Sequence, residues 1–287
     1  MTKRIVTSDS TCAISRKDAE KIGLPILPLN VIVDGREFHD GIDMDNETLA
    51  KVMRGGAVIK TSTPTPFEIE TFFNAIFEQG YEEIIHFTIS SKLSSMFDLF
   101  TLTCANLYGD KVKVLDSLSV CSFMGNHVLA TIENVKSGMP TSEVIEAFKK
   151  RQASEEVYFF PESLTYLQRG GRISPAVAAI GNFIGLKPVL GFREGAVEKD
   201  GATRNIKRSI EDVLKKLKAK KYSKDTCELH VVIFDTSAAT LDIMRHAIER
   251  NLPEFDVFVT PLSINVAAHT GPGTIGVGMV KKSKPNN

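Results

Sequence analysis

Hydroxyl side chains gather at four points of the sequence where a strand ends or a helix begins. Helix capping can explain any one of these clusters, because Ser, Thr and Asp are preferred just before a helix. Four together indicate a site for an oxygen-rich anion, since hydroxyls and the N–H groups of helix starts both favour negative charge. The clusters are Ser8-Asp9-Ser10-Thr11, Thr61-Ser62-Thr63-Pro64-Thr65-Pro66, Ser90-Ser91-Lys92-Leu93-Ser94-Ser95 and Asp116-Ser117.

The last histidine of the chain, His269, lies in a segment of turn-forming residues. Gly271 and Gly273 tolerate a positive φ, and Pro272 fixes its own φ and has no N–H group. The apolar runs at 260–266 and 275–280 favour strands on either side, which predicts that the imidazole lies at the mouth of a sheet. The alternative is a plain connection with a surface histidine.

Motifs of nucleotide or metal chemistry are missing from the sequence, which favours a binding protein over a catalyst. It has neither G-x-x-x-x-G-K-[ST] nor H-E-x-x-H, and no cofactor is expected. A hydrolytic triad of Ser94, His269 and Asp116 can be imagined, but the G-x-S-x-G motif is absent. Asp9 can equally be a structural carboxylate that caps a helix.

Charge and cysteine content exclude further classes. Lys and Arg total 35 and Asp and Glu total 35, so the chain lacks the basic surplus typical of nucleic-acid-binding proteins. The four cysteines are far apart, which suits neither a disulfide framework nor a zinc site. We find no signal-peptide core and no apolar run of the ~18 residues that span a bilayer. We therefore expect a cytoplasmic protein with at most transient membrane contact.

Strand patterns alternate with helix patterns along the chain, which predicts an α/β fold with mainly parallel sheets. A hairpin at Asp34-Gly35 stands outside this alternation. We place a boundary near residues 152–156, giving an N-terminal lobe at 1–155 and a C-terminal lobe at 156–287. In such folds ligands bind beyond the carboxyl ends of the strands.

The motifs, taken in order, resemble the DegV family, the fatty-acid-binding (FakB) subunits of bacterial fatty acid kinase. The resemblance covers essentially the whole chain and is carried by Thr61-Ser62-x-Pro64-Thr65, Ser90-Ser91-x-Leu93-Ser94, Leu115-Asp116-Ser117, Leu167-x-Arg169-Gly170-Gly171-Arg172-Ile173-Ser174, Lys187-Pro188, Arg204 and His269-Thr270-Gly271-Pro272-Gly273. It implies a two-lobe fold of the DegV (EDD) type with the ligand at the lobe junction. It also implies a non-catalytic protein that presents the carboxylate of a long-chain fatty acid to a separate ATP-dependent kinase subunit, which makes acyl phosphate for phospholipid synthesis.

The resemblance also implies roles for individual residues. Thr61, Ser62, Ser94 and His269 match residues that hold the carboxylate, and Ser95 and Thr270 are secondary polar candidates. Arg172 and Arg204 match basic residues of kinase docking or phosphotransfer, although each could be a solvated surface charge. Where the family has Gly-Thr-Tyr this chain has Ser95-Met96-Phe97, a departure that bears on the length and shape of the ligand rather than its class.

An apolar stretch after the Gly-Gly-Arg motif is the candidate wall for the fatty acid tail. Helical spacing places Ile173, Val177, Ile180 and Ile184 on one face, and Phe183 is a further candidate. Ordinary core packing is the alternative for each of them. The rival function is a stand-alone small-molecule kinase or hydrolase that uses Ser94 and His269, and a third is a lipid sensor or store without a kinase.

Overall fold

The computed structural model describes residues 2–178 and 186–283, which form strands and helices in near alternation. The strands are β1 (Arg4–Asp9), β2 (Ile26–Leu27), β3 (Asn30–Val33), β4 (Arg36–His39), β5 (Ile59–Ser62), β6 (Glu83–Thr88), β7 (Val112–Asp116), β8 (Glu156–Phe160), β9 (Lys187–Arg193), β10 (Ala196–Thr203), β11 (Cys227–Phe234), β12 (Val257–Pro261) and β13 (Thr274–Lys281). The helices are α1 (Arg16–Ile22), α2 (Asn46–Arg54), α3 (Pro66–Phe77), α4 (Met96–Tyr108), α5 (Cys121–Lys136), α6 (Thr141–Gln152), α7 (Thr165–Arg169), α8 (Pro175–Ala178), α9 (Ile206–Ala219), α10 (Ala238–Asn251) and α11 (Ile264–Thr270). Within these ranges no helix is long and apolar enough to cross a membrane.

The strands form three sheets. The first is parallel, with strand order β2-β1-β6-β7. The second has the order β10-β9-β8-β13-β11-β12, and the third, β4-β3-β5, is a small antiparallel sheet built on the predicted hairpin. Asp34 and Gly35 connect β3 to β4 with φ values of 48° and 84°, the positive values that a tight two-residue hairpin turn requires.

The α/β class is confirmed, and the strand directions refine it. Only β11 and β12 run parallel in the second sheet, whereas its other pairs are antiparallel. One cause is local: Glu194 and Gly195 have φ values of 48° and 82° and turn β9 directly back into β10. We did not predict β10, because residues 196–203 are mostly exposed or half-buried and carry no apolar run.

Residues on both sides of position 155 pack into a shared core. Phe123 of α5 lies edge-on to Phe159 of β8 with ring centroids 6.3 Å apart. Both are buried members of the largest apolar cluster. The two halves of the chain therefore meet through packed side chains, and the division at residue 155 stays a prediction.

Candidate functional site

The site is a cavity walled by residues from both halves of the chain. Its volume is about 140 Å³, roughly ten times what one enclosed water molecule requires. Exposed Thr63 and Ser95 mark its mouth, and buried Leu29 and Val120 mark its interior. The apolar part of the wall consists of Leu29, Ile89, Leu93, Met96, Val120, Phe159, Pro161, Leu167, Leu190, Phe192, Val197 and Val266.

A hydrogen bond between Thr61 and His269 joins the two halves at this cavity. The Oγ1 atom of Thr61, the next-to-last residue of β5, lies 2.8 Å from Nε2 of His269. Burial, with a smaller contribution from the positive charge of Arg172, lowers the pKa of His269 to about 4. The imidazole is therefore neutral at pH 7, with one ring nitrogen able to donate and the other able to accept a hydrogen bond.

His269 is held by a helix, which corrects the sequence-based expectation of a loop at the mouth of a sheet. Residues 264–266, which we predicted to extend a strand, form the first turn of α11, and His269 lies in its last turn. The sequence at 264–266 is ambiguous because β-branched Ile264 and Val266 favour a strand. The segment is also buried on all sides, so its apolar residues do not follow a helical period. Gly271 ends the helix with a φ of 81°.

Two glycines allow this helix to lie close to the Gly-Gly-Arg segment. A Cβ atom at Gly170 would collide with Nδ1 of His269, and one at Gly271 would collide with the ring of Tyr166. Thr274 fixes the turn that follows, because its hydroxyl donates to the carbonyl oxygen of Gly271 over 2.8 Å. The first glycine of the motif thus leaves room for the imidazole.

The arginine of that motif lines the cavity. Nε of Arg172 donates to the carbonyl oxygen of Leu93 over 3.0 Å, and Nη1 donates to the carbonyl oxygen of Gly170. Burial lowers the pKa of Arg172, and within the described part of the chain it has no carboxylate partner. Two carbonyl groups therefore hold a half-buried cation beside Ser94 and His269, where it suits an anionic ligand.

Arg204 lies elsewhere. It is exposed, follows β10 and precedes α9, and does not belong to the cavity wall. The structure therefore separates the two arginines that we grouped as docking or phosphotransfer residues, and their roles stay predictions.

The hydroxyl clusters divide between the cavity and helix capping. Thr61, Ser62, Ser94, Ser95 and Thr270 all line the cavity. The hydroxyl of Ser94 also accepts a 3.4 Å hydrogen bond from the N–H group of Met96 at the start of α4. We call Thr61, Ser62, Ser94, Arg172 and His269 the head-group cluster.

The remaining hydroxyl and carboxylate groups serve the main chain. Thr65 forms a capping box with Glu68 at the start of α3. Asp9 accepts hydrogen bonds from the N–H groups of Thr11 and Ile89, and burial raises its pKa to about 6. Asp116 accepts hydrogen bonds from the N–H group of Ser91 and from the residue two positions after itself. Main-chain contacts thus account for Asp9, Thr65 and Asp116, which come from three of the four clusters.

The described tail candidates do not lie on the cavity wall. Ile173 and Val177 are buried in the core. Among the described residues of that stretch, up to 178, the helix covers Pro175–Ala178 and does not include Ile173. Ile180, Phe183 and Ile184 lie outside the described residues. Strands β8 and β9 contribute Phe159, Leu190 and Phe192 to the apolar wall; sequence patterns identified both strands but not their pairing beside a cavity.

Asn265 is a polar wall residue that sequence analysis missed. It lies four residues before His269 on α11, so the two share a helical face. Asn265 lies on the same side as His269 because residues 264–266 are helical; an extended strand at 264–266 would not give this arrangement.

Comparison with known proteins gives matches along nearly the whole chain. The DegV family model, described as "Uncharacterised protein, DegV family", matches residues 3–282. A DegV domain-containing protein of Streptomyces coelicolor is 28% identical over 275 residues, covering 95% of this chain and 96% of that protein.

Solved structures of DegV family and fatty-acid-binding proteins match the fold of this chain. One, described as fatty acid binding of a DegV family protein from Thermus thermophilus, has a TM-score of 0.88 and 26% identity over 98% of this chain and 100% of that chain. A stearic acid-binding protein from Eubacterium ventriosum has a TM-score of 0.85 and 26% identity over 99% of both chains.

Proposed function

Because the chain belongs to the DegV family, we propose that it binds one long-chain fatty acid in this cavity and presents the carboxylate to a separate fatty acid kinase subunit. The observation that carries the proposal is the head-group cluster on the wall of a mainly apolar cavity. Two similar structures, from Thermus thermophilus and Eubacterium ventriosum, are described as binding a fatty acid and stearic acid respectively.

Magnitudes assign separate roles to the two parts of the wall. Burial of a methylene group contributes ~0.8 kcal/mol, so a 16-carbon tail offers roughly 10 kcal/mol before entropy losses. A hydrogen bond to a charged group contributes about 1.5–3 kcal/mol net. The tail thus supplies most of the affinity, and the hydroxyls, Arg172 and His269 fix where the carboxylate points.

The geometry favours presentation of a ligand over catalysis by this chain alone. The imidazole of His269 pairs with Thr61 through Nε2, and its described hydrogen bonds do not include Ser94, so His269 is not placed to activate that serine. Phosphotransfer therefore belongs to the partner subunit, with Arg172 placed to contact the developing acyl phosphate.

The test is an incubation of delipidated protein with palmitic acid and ATP, with and without a fatty acid kinase catalytic subunit. Acyl phosphate is trapped with hydroxylamine and counted. Product only in the presence of the partner supports the proposal. Product without the partner supports the stand-alone enzyme, and fatty acid binding without product in either case supports a lipid sensor or store.

A further inference from the structure

Helix α11 places two buried polar residues on the cavity wall in addition to His269. Asn265 is 6% exposed and Thr270 is 8% exposed, and both line the cavity. Oδ1 of Asn265 and Oγ1 of Thr270 have no hydrogen-bond partner in residues 2–178 and 186–283. Buried polar groups are nearly always paired, so each atom points to a ligand group that completes it.

The orientation of the Asn265 amide follows from its other contact. Its Nδ2 group donates to the main-chain carbonyl oxygen of Asn30 over 3.0 Å. A carbonyl can only accept, so the NH₂ end must face Asn30 and the oxygen is the free end. This oxygen can accept a hydrogen bond but cannot donate one, and it suits a ligand O–H group and not a carboxylate.

The position of Asn265 relates it to a particular part of a bound chain. It lies one helical turn before His269 on the same face, and it is more deeply buried. One turn rises 5.4 Å, on the order of four or five carbon–carbon bonds along an acyl chain. A carboxylate held at the head-group cluster therefore brings the carbons nearest the carboxyl group past Asn265.

We propose that Asn265 accepts a hydrogen bond from a hydroxyl on the acyl chain near its carboxyl end, so that the cavity selects hydroxylated fatty acids. An unsubstituted methylene chain would leave this oxygen unpaired, whereas a ligand hydroxyl would gain a hydrogen bond to it. The inference rests on the proposed function, because it requires the carboxylate to lie at the head-group cluster.

The experiment compares dissociation constants for four ligands: hexadecanoic acid and its derivatives hydroxylated at carbon 3, carbon 5 or carbon 16. Wild type should bind the carbon 3 or carbon 5 derivative about fivefold more tightly than hexadecanoic acid, the factor that a net hydrogen bond of about 1 kcal/mol gives. The carbon 16 derivative should show no such gain. Asn265→Leu keeps the side-chain shape and should abolish the preference.

The readout is the ratio of two dissociation constants in one protein, so a general loss of affinity in a variant cancels. Asn251→Leu is the matched control, since it removes a buried amide that lies outside the cavity wall and should leave the ratio unchanged. Equal binding of hydroxylated and unsubstituted acids by wild type would overturn the inference while the proposed function stands. This comparison uses wild-type protein alone, so it does not depend on whether a variant folds. A preference that survives Asn265→Leu would overturn the assignment to Asn265. If none of the four acids binds, the proposed function and this inference both fail.

Discussion

The main chain at Gly170 lies directly against the imidazole ring of His269. A Cβ atom at this position would collide with Nδ1, while the opposite nitrogen, Nε2, is engaged by Thr61. Gly170 itself has a φ of −74° and a ψ of −13°, which any residue adopts. Glycine is therefore needed here for the space beside His269 and not for its backbone freedom.

Gly170→Ala should displace the imidazole and lower the free energy of unfolding by about 1–3 kcal/mol, the usual cost of overpacking. Acyl-phosphate formation should fall with it. The measurements are urea unfolding and the coupled kinase assay. Gly201→Ala is the control, because a Cβ there meets no atom within 4 Å, and it should change neither quantity appreciably. Equal behaviour of the two variants would contradict the role given to Gly170.

Thr61→Val should reduce acyl-phosphate formation more than fatty acid affinity. The change removes the hydroxyl that pairs with His269 and leaves a ring nitrogen unsatisfied, at a cost of about 1–3 kcal/mol in stability. Affinity comes mainly from the tail, whereas reaction depends steeply on the direction of the carboxylate. Ser94→Ala should show the same pattern.

The control for that experiment is Thr71→Val on α3, whose hydroxyl only donates to the carbonyl oxygen of Phe67 on an exposed helix surface. It should leave both affinity and turnover near wild type. Equal losses of affinity and turnover in Thr61→Val would mean that the hydroxyl contributes binding energy and not orientation.

Acidification should destabilise the protein through His269. The unfolded chain takes up a proton on this imidazole near pH 6.5, whereas the folded protein does so only near pH 4. The contribution to stability is therefore present above pH 6.5 and is lost as the pH falls towards 4.

The free energy of unfolding of wild type should fall more steeply across that window than that of His269→Gln, by up to ~3 kcal/mol. Urea unfolding at a series of pH values measures both curves. Thr61→Val keeps the buried imidazole and should follow wild type. Parallel curves for wild type and His269→Gln would show that burial does not depress this pKa.

Arg204→Ala should leave fatty acid affinity unchanged and raise the kinase concentration needed for half-maximal turnover. Arg204 is exposed and is not part of the cavity wall, so its guanidinium is accessible to a partner surface. Arg208→Ala is a matched control on the adjoining helix, where the side chain is 77% exposed and pairs with Asp212. A loss of fatty acid affinity in Arg204→Ala, or equal kinase dependence in both variants, would reject the docking role.

Local chemistry explains which features were predictable from sequence. The Asp34-Gly35 hairpin depends on a few neighbouring residues, and it was predicted correctly. Thr61, Ser62, Ser94 and His269 were proposed from motifs as carboxylate-binding residues, and they line one cavity together with Arg172, which was proposed for docking or phosphotransfer. The role of each residue stays a prediction.

Long-range pairing explains what was missed. Phe159 and Phe192 face the cavity because β8 pairs with β9, a relationship between strands about 30 residues apart that no local pattern encodes. Residues 264–266 of α11 were taken for the end of a strand because a short buried run shows no distinguishing period, and Asn265 was overlooked for that reason.

The most direct test of the central claim is the lipid content of the purified protein. The protein is denatured, extracted with organic solvent, and the extract is quantified by mass spectrometry. We expect about one long-chain fatty acid per chain, because a cavity with a largely apolar wall gains most from an apolar occupant. Added fatty acid should raise the Tm of the delipidated protein, because a ligand that binds only the folded state stabilises it. Absence of stoichiometric lipid, together with a Tm that added fatty acid does not change, would contradict the account.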